Sequence, residues 1–209
     1  MNKSLFITFE GIDGAGKSTQ IAMLKEYLES KGCKVLLTRE PGGSNIGNSI
    51  RGILLDKSNT AMSPLAELLL YYADRAQHIS EVIVPALEDG YCVICDRYFD
   101  SSYAYQLAGR RLDDSVLDTL NQMVVDTHMP DITFLMDLSL EESINRVSGR
   151  GESDRLELES LSFKERVRHG FLEQAKKYPQ RIAVINAMQS PNAIFDDILA
   201  RIEGSGLLK

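Results

Sequence analysis

The sequence predicts an α/β protein: a five-stranded parallel sheet flanked by helices on both faces. Three observations lead there. Five short apolar runs recur along the 209 residues, at 5–9, 34–38, 92–95, 133–137 and 182–186. Longer segments with apolar residues at helical spacing separate them, and that alternation builds parallel strands joined by crossover helices. Runs such as Thr133 to Asp137 are apolar almost throughout, which suits strands covered on both sides. Ligands in such sheets bind beyond the carboxyl ends of the strands. The polar residues after the runs are therefore site candidates: Glu10 to Thr19, Arg39 to Gly43, Asp96 to Tyr105, and Asp137.

The first run, Leu5 to Phe9, leads straight into Gly11-x4-Gly16-Lys17-Ser18, the phosphate-binding loop pattern. Ile21, Leu24 and Leu28 follow at helical spacing, so strand, glycine loop and helix stand in the order this motif needs. Glycines let backbone N–H groups turn inward around phosphate oxygens. The helix start adds free N–H donors and a positive dipole end. Lys17 reaches for β- and γ-phosphates, and Ser18 is a candidate Mg²⁺ ligand.

Helices are predicted over 18–31, 45–55, 64–77, 79–89, 113–127, 140–147, 160–177 and 192–203. Gly32 after Lys31 fits a helix C-cap, and Ser63-Pro64 fits a capped helix start. Residues 148–159 are polar, charged and glycine-containing, which suits either a loop over a site or a plain surface turn.

Length and composition predict one domain spanning 1–209. A net charge of −7 argues against a general nucleic-acid-binding role, which usually carries a basic excess. No apolar run approaches the roughly 20 residues that span a bilayer, and the N-terminal apolar stretch reads as a core strand rather than a signal peptide. The expectation is a cytoplasmic protein with no membrane partner. Three cysteines fit a reducing compartment. Cys92-x-x-Cys95 reads as part of an apolar strand, since no second Cys/His pair stands at metal spacing.

Asp96 ends an apolar run, as an Mg²⁺-supporting acid does in phosphate-loop proteins. Asp137 ends another, but Arg97 directly follows Asp96 and can fork onto a phosphate, which favours Asp96. Arg39 precedes Glu40-Pro41-Gly42-Gly43, an irregular turn, and Arg51 lies in the next helix. Tyr71 and Arg75 share a helix face. They suit a planar base, and a core tyrosine beside an exposed arginine is an equally good reading. Arg146, Arg150 and Arg155 surround the glycine-rich segment, where arginines on a closing lid could offset phosphoryl charge.

Together these motifs resemble bacterial thymidylate kinases of the phosphate-loop nucleoside-monophosphate kinase fold. The resemblance covers nearly the whole chain. It rests on Phe9 to Thr19, Thr38-Arg-Glu-Pro-Gly-Gly43, Asp96-Arg-Tyr98, Ser101-Ser-x-Ala-Tyr-Gln106 and Arg150-Gly-Glu-Ser-Asp-Arg155. It implies phosphorylation of dTMP to dTDP by ATP and Mg²⁺, a step toward dTTP for DNA replication, in a homodimeric enzyme. ATP would be held by Gly11, Ile12, Asp13, Gly14, Ala15, Gly16, Lys17, Ser18, Thr19 and Arg146. The dTMP phosphate would be held by Arg39, Arg51 and Arg97, and the deoxyribose 3′-hydroxyl by Asp13, with Glu10 supporting that region. Tyr71, where the family usually has Phe, would stack on thymine, and Arg75 would reach O4. Ser102 and Gln106 would line the base or sugar pocket, and Tyr105 would crowd the 2′ position. Ser18 and Asp96 would serve the metal.

The family has two arrangements of active-site arginine. Gly14 stands where one arrangement places an arginine in the loop, so the chain resembles the other, in which the lid near 146–159 supplies it. Arg150 is then the leading catalytic arginine beside Lys17, Asp13 and Arg97, and Ser148 stands where a further lid arginine is often found. Two rival readings differ in their needs. A deoxynucleoside kinase needs a carboxylate base, for which Glu10 is the candidate. A guanine-nucleotide switch needs an Asn-Lys-x-Asp, which the sequence lacks.

Overall fold

The computed structural model describes residues 4–148 and 154–207. Five parallel strands form one sheet: β1 (Phe6–Glu10), β2 (Lys34–Arg39), β3 (Tyr91–Asp96), β4 (Ile132–Asp137) and β5 (Ile182–Asn186). Their order is β2-β3-β1-β4-β5. All five lie within one residue of the predicted runs at each end. β1 is buried throughout and β4 nearly so, whereas the edge strand β2 is half exposed. The apolar-throughout expectation thus holds for the centre of the sheet and not for its edge.

The helices are α1 (Lys17–Ser30), α2 (Asn45–Leu55), α3 (Pro64–His78), α4 (Val84–Glu88), α5 (Phe99–Ser102), α6 (Asp114–Val124), α7 (Leu140–Val147), α8 (Leu161–Lys177) and α9 (Pro191–Ser205). Serine recurs as the cap: Ser44, Ser63, Ser139, Ser160 and Ser190 each accept an N–H from the first turn of the helix they precede. One core packs Leu24, Leu28, Phe163, Phe171 and Ile198 against one sheet face, and a second packs Leu68, Tyr72, Ile83, Phe99 and Leu117 against the other. No described helix is long and apolar enough to cross a membrane.

Two segments depart from the sequence expectation. The helix predicted at 79–89 begins with a π-helical turn, Ile79–Ile83, and becomes α-helical only at Val84. Residues 99–109, read as an irregular site loop, form α5 followed by a π-helical stretch, Tyr103–Gly109. Serine, aspartate, glycine and several aromatics give this stretch weak intrinsic helix preference, so tertiary contacts decide it. Gly170 on α8 lets the two helices touch: a Cβ there would lie 2.7 Å from the Ala108 methyl. At the other end Asp100, fully buried, takes both terminal nitrogens of Arg181 at 2.6 and 2.7 Å. Arg181 also donates to Thr133 Oγ1 at 2.8 Å, which joins Thr8 Oγ1 at 2.7 Å. A polar bolt thus runs from the helix to β4 and β1.

The register sets the working edge. Phe9 and Arg39 both stand opposite Asp96, so the carboxyl ends of β1, β2 and β3 are level. β1 lies between β3 and β4, and the chain crosses it from one neighbour to the other, so a crevice opens beyond its end. Removing one partner of the Asp100–Arg181 pair leaves a buried charge uncompensated. Arg181→Met is expected to cost about 3–5 kcal/mol in urea denaturation; a loss below about 1 kcal/mol would contradict the bolt.

Candidate active site

A cavity of about 270 Å³ fills that crevice, walled by the loop after β1, the β2 exit, α3, the β3 exit and residues 154–157. The loop is pinned first at Gly11. Its φ is 129°, and a Cβ there would sit 2.5 Å from the Met136 carbonyl oxygen, inside β4's backbone. Only glycine passes this point. Gly16, at φ 87°, caps α1, whose first turn holds no acidic residue to offset the positive helix end. Lys17 is buried and folds over the loop, donating to the Gly11 and Ile12 carbonyls at 3.1 and 3.4 Å. Burial and nearby Arg97 lower its pKa, although the surrounding carboxylates oppose them. A cation so placed gains its missing counter-charge from a phosphate.

Arg97 stands at the centre. It holds a left-handed backbone, φ 69°, uncommon for a side chain of this size. Its Nη1 donates to Gly11 O at 2.9 Å and to Ser101 Oγ at 3.3 Å, and its Nη2 donates to Asp13 Oδ1 at 2.8 Å. The guanidinium lies over the Tyr105 ring at 5.2 Å. Burial would raise the Asp13 pKa, but Arg97 and Lys17 outweigh it and hold the carboxyl below its usual range. Arg39 and half-buried Arg51 line the same wall. Arg51 donates to the Pro41 carbonyl at 2.8 Å, while Arg39 makes no hydrogen bond or ion pair with any described residue. Burial and the Arg39 charge lower the Arg51 pKa, so two like charges await an anion.

Tyr71, Arg75, Ser102, Tyr105 and Gln106 form the apolar-to-polar end of the cavity. The alternative of an exposed arginine at 75 fails, because Arg75 is 1% exposed. Its Nε donates to Glu40 at 2.8 Å and its Nη1 to Ser102 Oγ at 3.2 Å, while Tyr72 and Tyr98 lie against its plane. The same Glu40 bonds His78 Nδ1 at 2.9 Å, and His78 Nε2 meets Thr38 Oγ1 at 2.6 Å. Glu40, His78 and Asp74 escaped the sequence reading. A charged residue inside a helical stripe of Leu68, Tyr71 and Tyr72 was the available signal.

Other expectations resolve differently. Glu10 does not line the cavity. It is buried and accepts from Tyr98 N, Ser101 N and Ser101 Oγ at 2.7, 3.3 and 2.6 Å. Burial, then Asp100, push its pKa up to about 8. Its bonds go to the β3 exit, so it shapes the site instead of touching it. Arg146 pairs with Glu142 at 2.8 Å and reaches the Gly14 carbonyl at 3.4 Å, on the outer side of the loop. Arg155 turns away to Glu67 at 2.7 Å and the Leu54 carbonyl at 2.9 Å. Arg150 lies outside the described residues.

The metal candidates separate cleanly. Asp137 is taken by both Nε and Nη2 of Arg168, at 2.8 and 2.9 Å. Asp96 lines the cavity with Ser18, and its Oδ1 is buried without a partner. An orphaned carboxylate oxygen beside a hydroxyl and a phosphate loop fits Mg²⁺, a cation that takes few protein oxygens and completes its shell from phosphates and water. No group of three or more acidic, His or Cys side chains among the described residues offers a closed metal cage.

Asp74 carries a pH consequence. Its Oδ1 accepts the Gly42 N–H at 2.9 Å, its Oδ2 is buried without a partner, and burial, then Glu40, push its pKa up to about 6. The folded chain therefore holds this proton more tightly than the unfolded chain does. Stability from this group is present at low pH and declines as pH rises from about 4 to 6. Asp74→Asn lacks the decline, so its stability relative to the parent should rise by about 2–3 kcal/mol between pH 4 and pH 7. Denaturation at both pH values checks this, and a difference independent of pH would refute it.

The geometry can be set beside known proteins. A family model described as thymidylate kinase matches residues 9–198. The thymidylate kinase of Trichlorobacter lovleyi is 48% identical over 208 residues, covering 95% of this chain and 98% of that protein. That of Clostridium novyi is 42% identical over 200 residues, with coverage of 95% and 98%. The crystal structure of thymidylate kinase from Ehrlichia chaffeensis matches with a TM-score of 0.78 at 38% identity, covering 95% of this chain and 98% of that one. Motif, fold and kinship agree, and the chain belongs to the thymidylate kinase family.

Proposed function

We propose that ATP and dTMP meet in this cavity, ATP on the phosphate loop and dTMP across Arg97. Phosphoryl transfer to dTMP, giving dTDP, is the reaction of the family. The observation that carries the assignment of sites is the cation group Arg39, Arg51 and Arg97, set apart from the phosphate loop and level with it. A second anion site one phosphate away from the first suits an acceptor that is itself phosphorylated. Glu10 is a poor base for a hydroxyl acceptor, because both its oxygens already accept hydrogen bonds.

In this reading Lys17 and the amides of Gly11 to Thr19 bind ATP phosphates, with Arg146 stiffening the loop from outside. Asp13 accepts from the deoxyribose 3′-hydroxyl while Arg97 orients it. Tyr71 stacks on the base, Arg75 donates to O4, and Ser102, Tyr105 and Gln106 close the pocket. Ser18 and Asp96 hold Mg²⁺, which supplies charge neutralisation on the phosphates when bound. The acceptor is a phosphate oxygen, nucleophilic without a base, so catalysis is alignment plus charge compensation. Arg150 supplies the lid arginine. The whole of 1–209 acts as one kinase unit in the cytoplasm. Exposed Leu65 and Leu69, four apart on α3, and Met123 on α6 support a homodimer.

An ADP-release assay with ATP, Mg²⁺ and dTMP, dUMP, dCMP, UMP, AMP or thymidine tests the reading. dTMP should be strongly preferred, and chelation of Mg²⁺ should abolish turnover. Turnover with thymidine and not dTMP would overturn it. Arg150→Ala should lower kcat by about 10³–10⁵ while moving the dTMP KM far less; near-normal kcat would refute the arginine's role.

A further inference from the structure

Glu67 lies on α3 one turn before Tyr71 and is fully buried. Its Oε1 accepts from Gln106 Nε2 at 2.8 Å and Arg110 Nε at 3.2 Å. Its Oε2 accepts from Arg110 Nη2 at 3.0 Å and pairs with Arg155 Nη1 at 2.7 Å. Burial raises its proton affinity, but the bonds from Arg110, Gln106 and Arg155 more than offset this, so the carboxyl stays ionised. An ionised carboxylate only accepts. Gln106 must therefore turn its amide nitrogen toward Glu67.

The opposite face of that amide is the carbonyl. Gln106 Oε1 bonds to no described residue, and the side chain lines the cavity. Ser102, one turn away on the same helix, holds the Arg75 guanidinium at the same wall. The pocket thus shows guanidinium donors beside one carbonyl acceptor. A ring edge with a carbonyl next to an N–H complements that pair. A ring edge with an amino group next to a bare nitrogen opposes it at both positions.

We propose that Glu67 is a specificity-positioning residue: by taking the Gln106 amide nitrogen it fixes the amide carbonyl toward the acceptor base, so that the site selects a 4-oxo, N3–H pyrimidine and rejects a 4-amino one. This rests on the reading that places the base at Tyr71, Arg75 and Gln106. A glutamine left free would reverse its amide and serve either edge. The arrangement keeps a buried charge, expensive unless fully paired, at the one position that removes this freedom.

The test compares kcat/KM for dTMP and dCMP. In Glu67→Gln the new amide can donate as well as accept, so Gln106 can reverse. The dTMP:dCMP ratio should narrow on the order of tenfold to a hundredfold, the worth of one buried mismatched polar group. Arg110→Met breaks the same ion-pair cluster but leaves the Gln106 bond, so it should lower Tm and leave the ratio unchanged. An unchanged ratio in Glu67→Gln, or an equal narrowing in Arg110→Met, would overturn the proposal. Gln106→Leu separates the two layers. If it leaves the ratio unchanged, the base-pocket reading itself has failed. If it narrows the ratio while Glu67→Gln does not, only the role of Glu67 has failed. Should Glu67→Gln not fold, the Gln106 side-chain amide of the parent enzyme decides by NMR, its signal assigned by its loss in Gln106→Leu. Slow exchange with water supports a nitrogen bonded to Glu67, and fast exchange refutes it.

Discussion

The acceptor side of the cavity is hung from one carboxylate, Glu10, at the end of the central strand. β1 and β3 run side by side and would part at their ends, but Glu10 reaches across and gathers the Tyr98 and Ser101 amides and the Ser101 hydroxyl. Hydrogen bonds to a charged acceptor are worth about 1.5–3 kcal/mol each, enough to set against its burial. This clamp forces the chain to turn at Arg97 in a left-handed conformation and sends the guanidinium back toward Gly11 and Asp13. It also starts α5, and with it the helix that carries Ser102, Tyr105 and Gln106 to the cavity. The donor and acceptor halves of the site are thereby registered through a single turn of backbone.

The charge layout follows a layered logic. The chain as a whole is acidic, at −7, yet its cavity collects Lys17, Arg39, Arg51, Arg75 and Arg97. Behind these cations lies a second layer of buried carboxylates, Glu40, Asp74, Glu67 and Glu10, each fastened by donors from at least one other element. The rear layer fixes where the front layer points. Arg39 is the front cation that no described residue holds, and it stands on the half-exposed edge strand, where a ligand can order it.

The strands and the phosphate loop were legible because their signals are local. Apolar runs of five residues and glycines at fixed spacing mean the same thing in most contexts. The split between Asp96 and Asp137 was legible for a narrower reason, the arginine directly after Asp96, and Arg168 on α8 explains why the other acid is silent. What could not be read was decided by distant partners. Residues 99–109 are helical because of Arg181, 81 positions away, and the bare surface of Gly170. Arg75 reads as exposed by its charge and is buried by Glu40, 35 positions away. Glu67 and Asp74 look like the polar side of an amphipathic helix until the second helix face is also covered.

The π-helical stretch Tyr103–Gly109 makes this enzyme a counter of residues. A π turn holds one residue more than an α turn, so the stretch behaves like an α-helix carrying an insertion. Losing any one residue there would let the helix relax to α geometry and rotate everything after the loss by about 100°. Gly109 could then no longer lie under Phe163, nor Arg110 reach Glu67. Side chains in this stretch can be exchanged one at a time, but its length cannot. Lineages of this fold should therefore vary here by substitution and place their insertions and deletions in the loops that flank it.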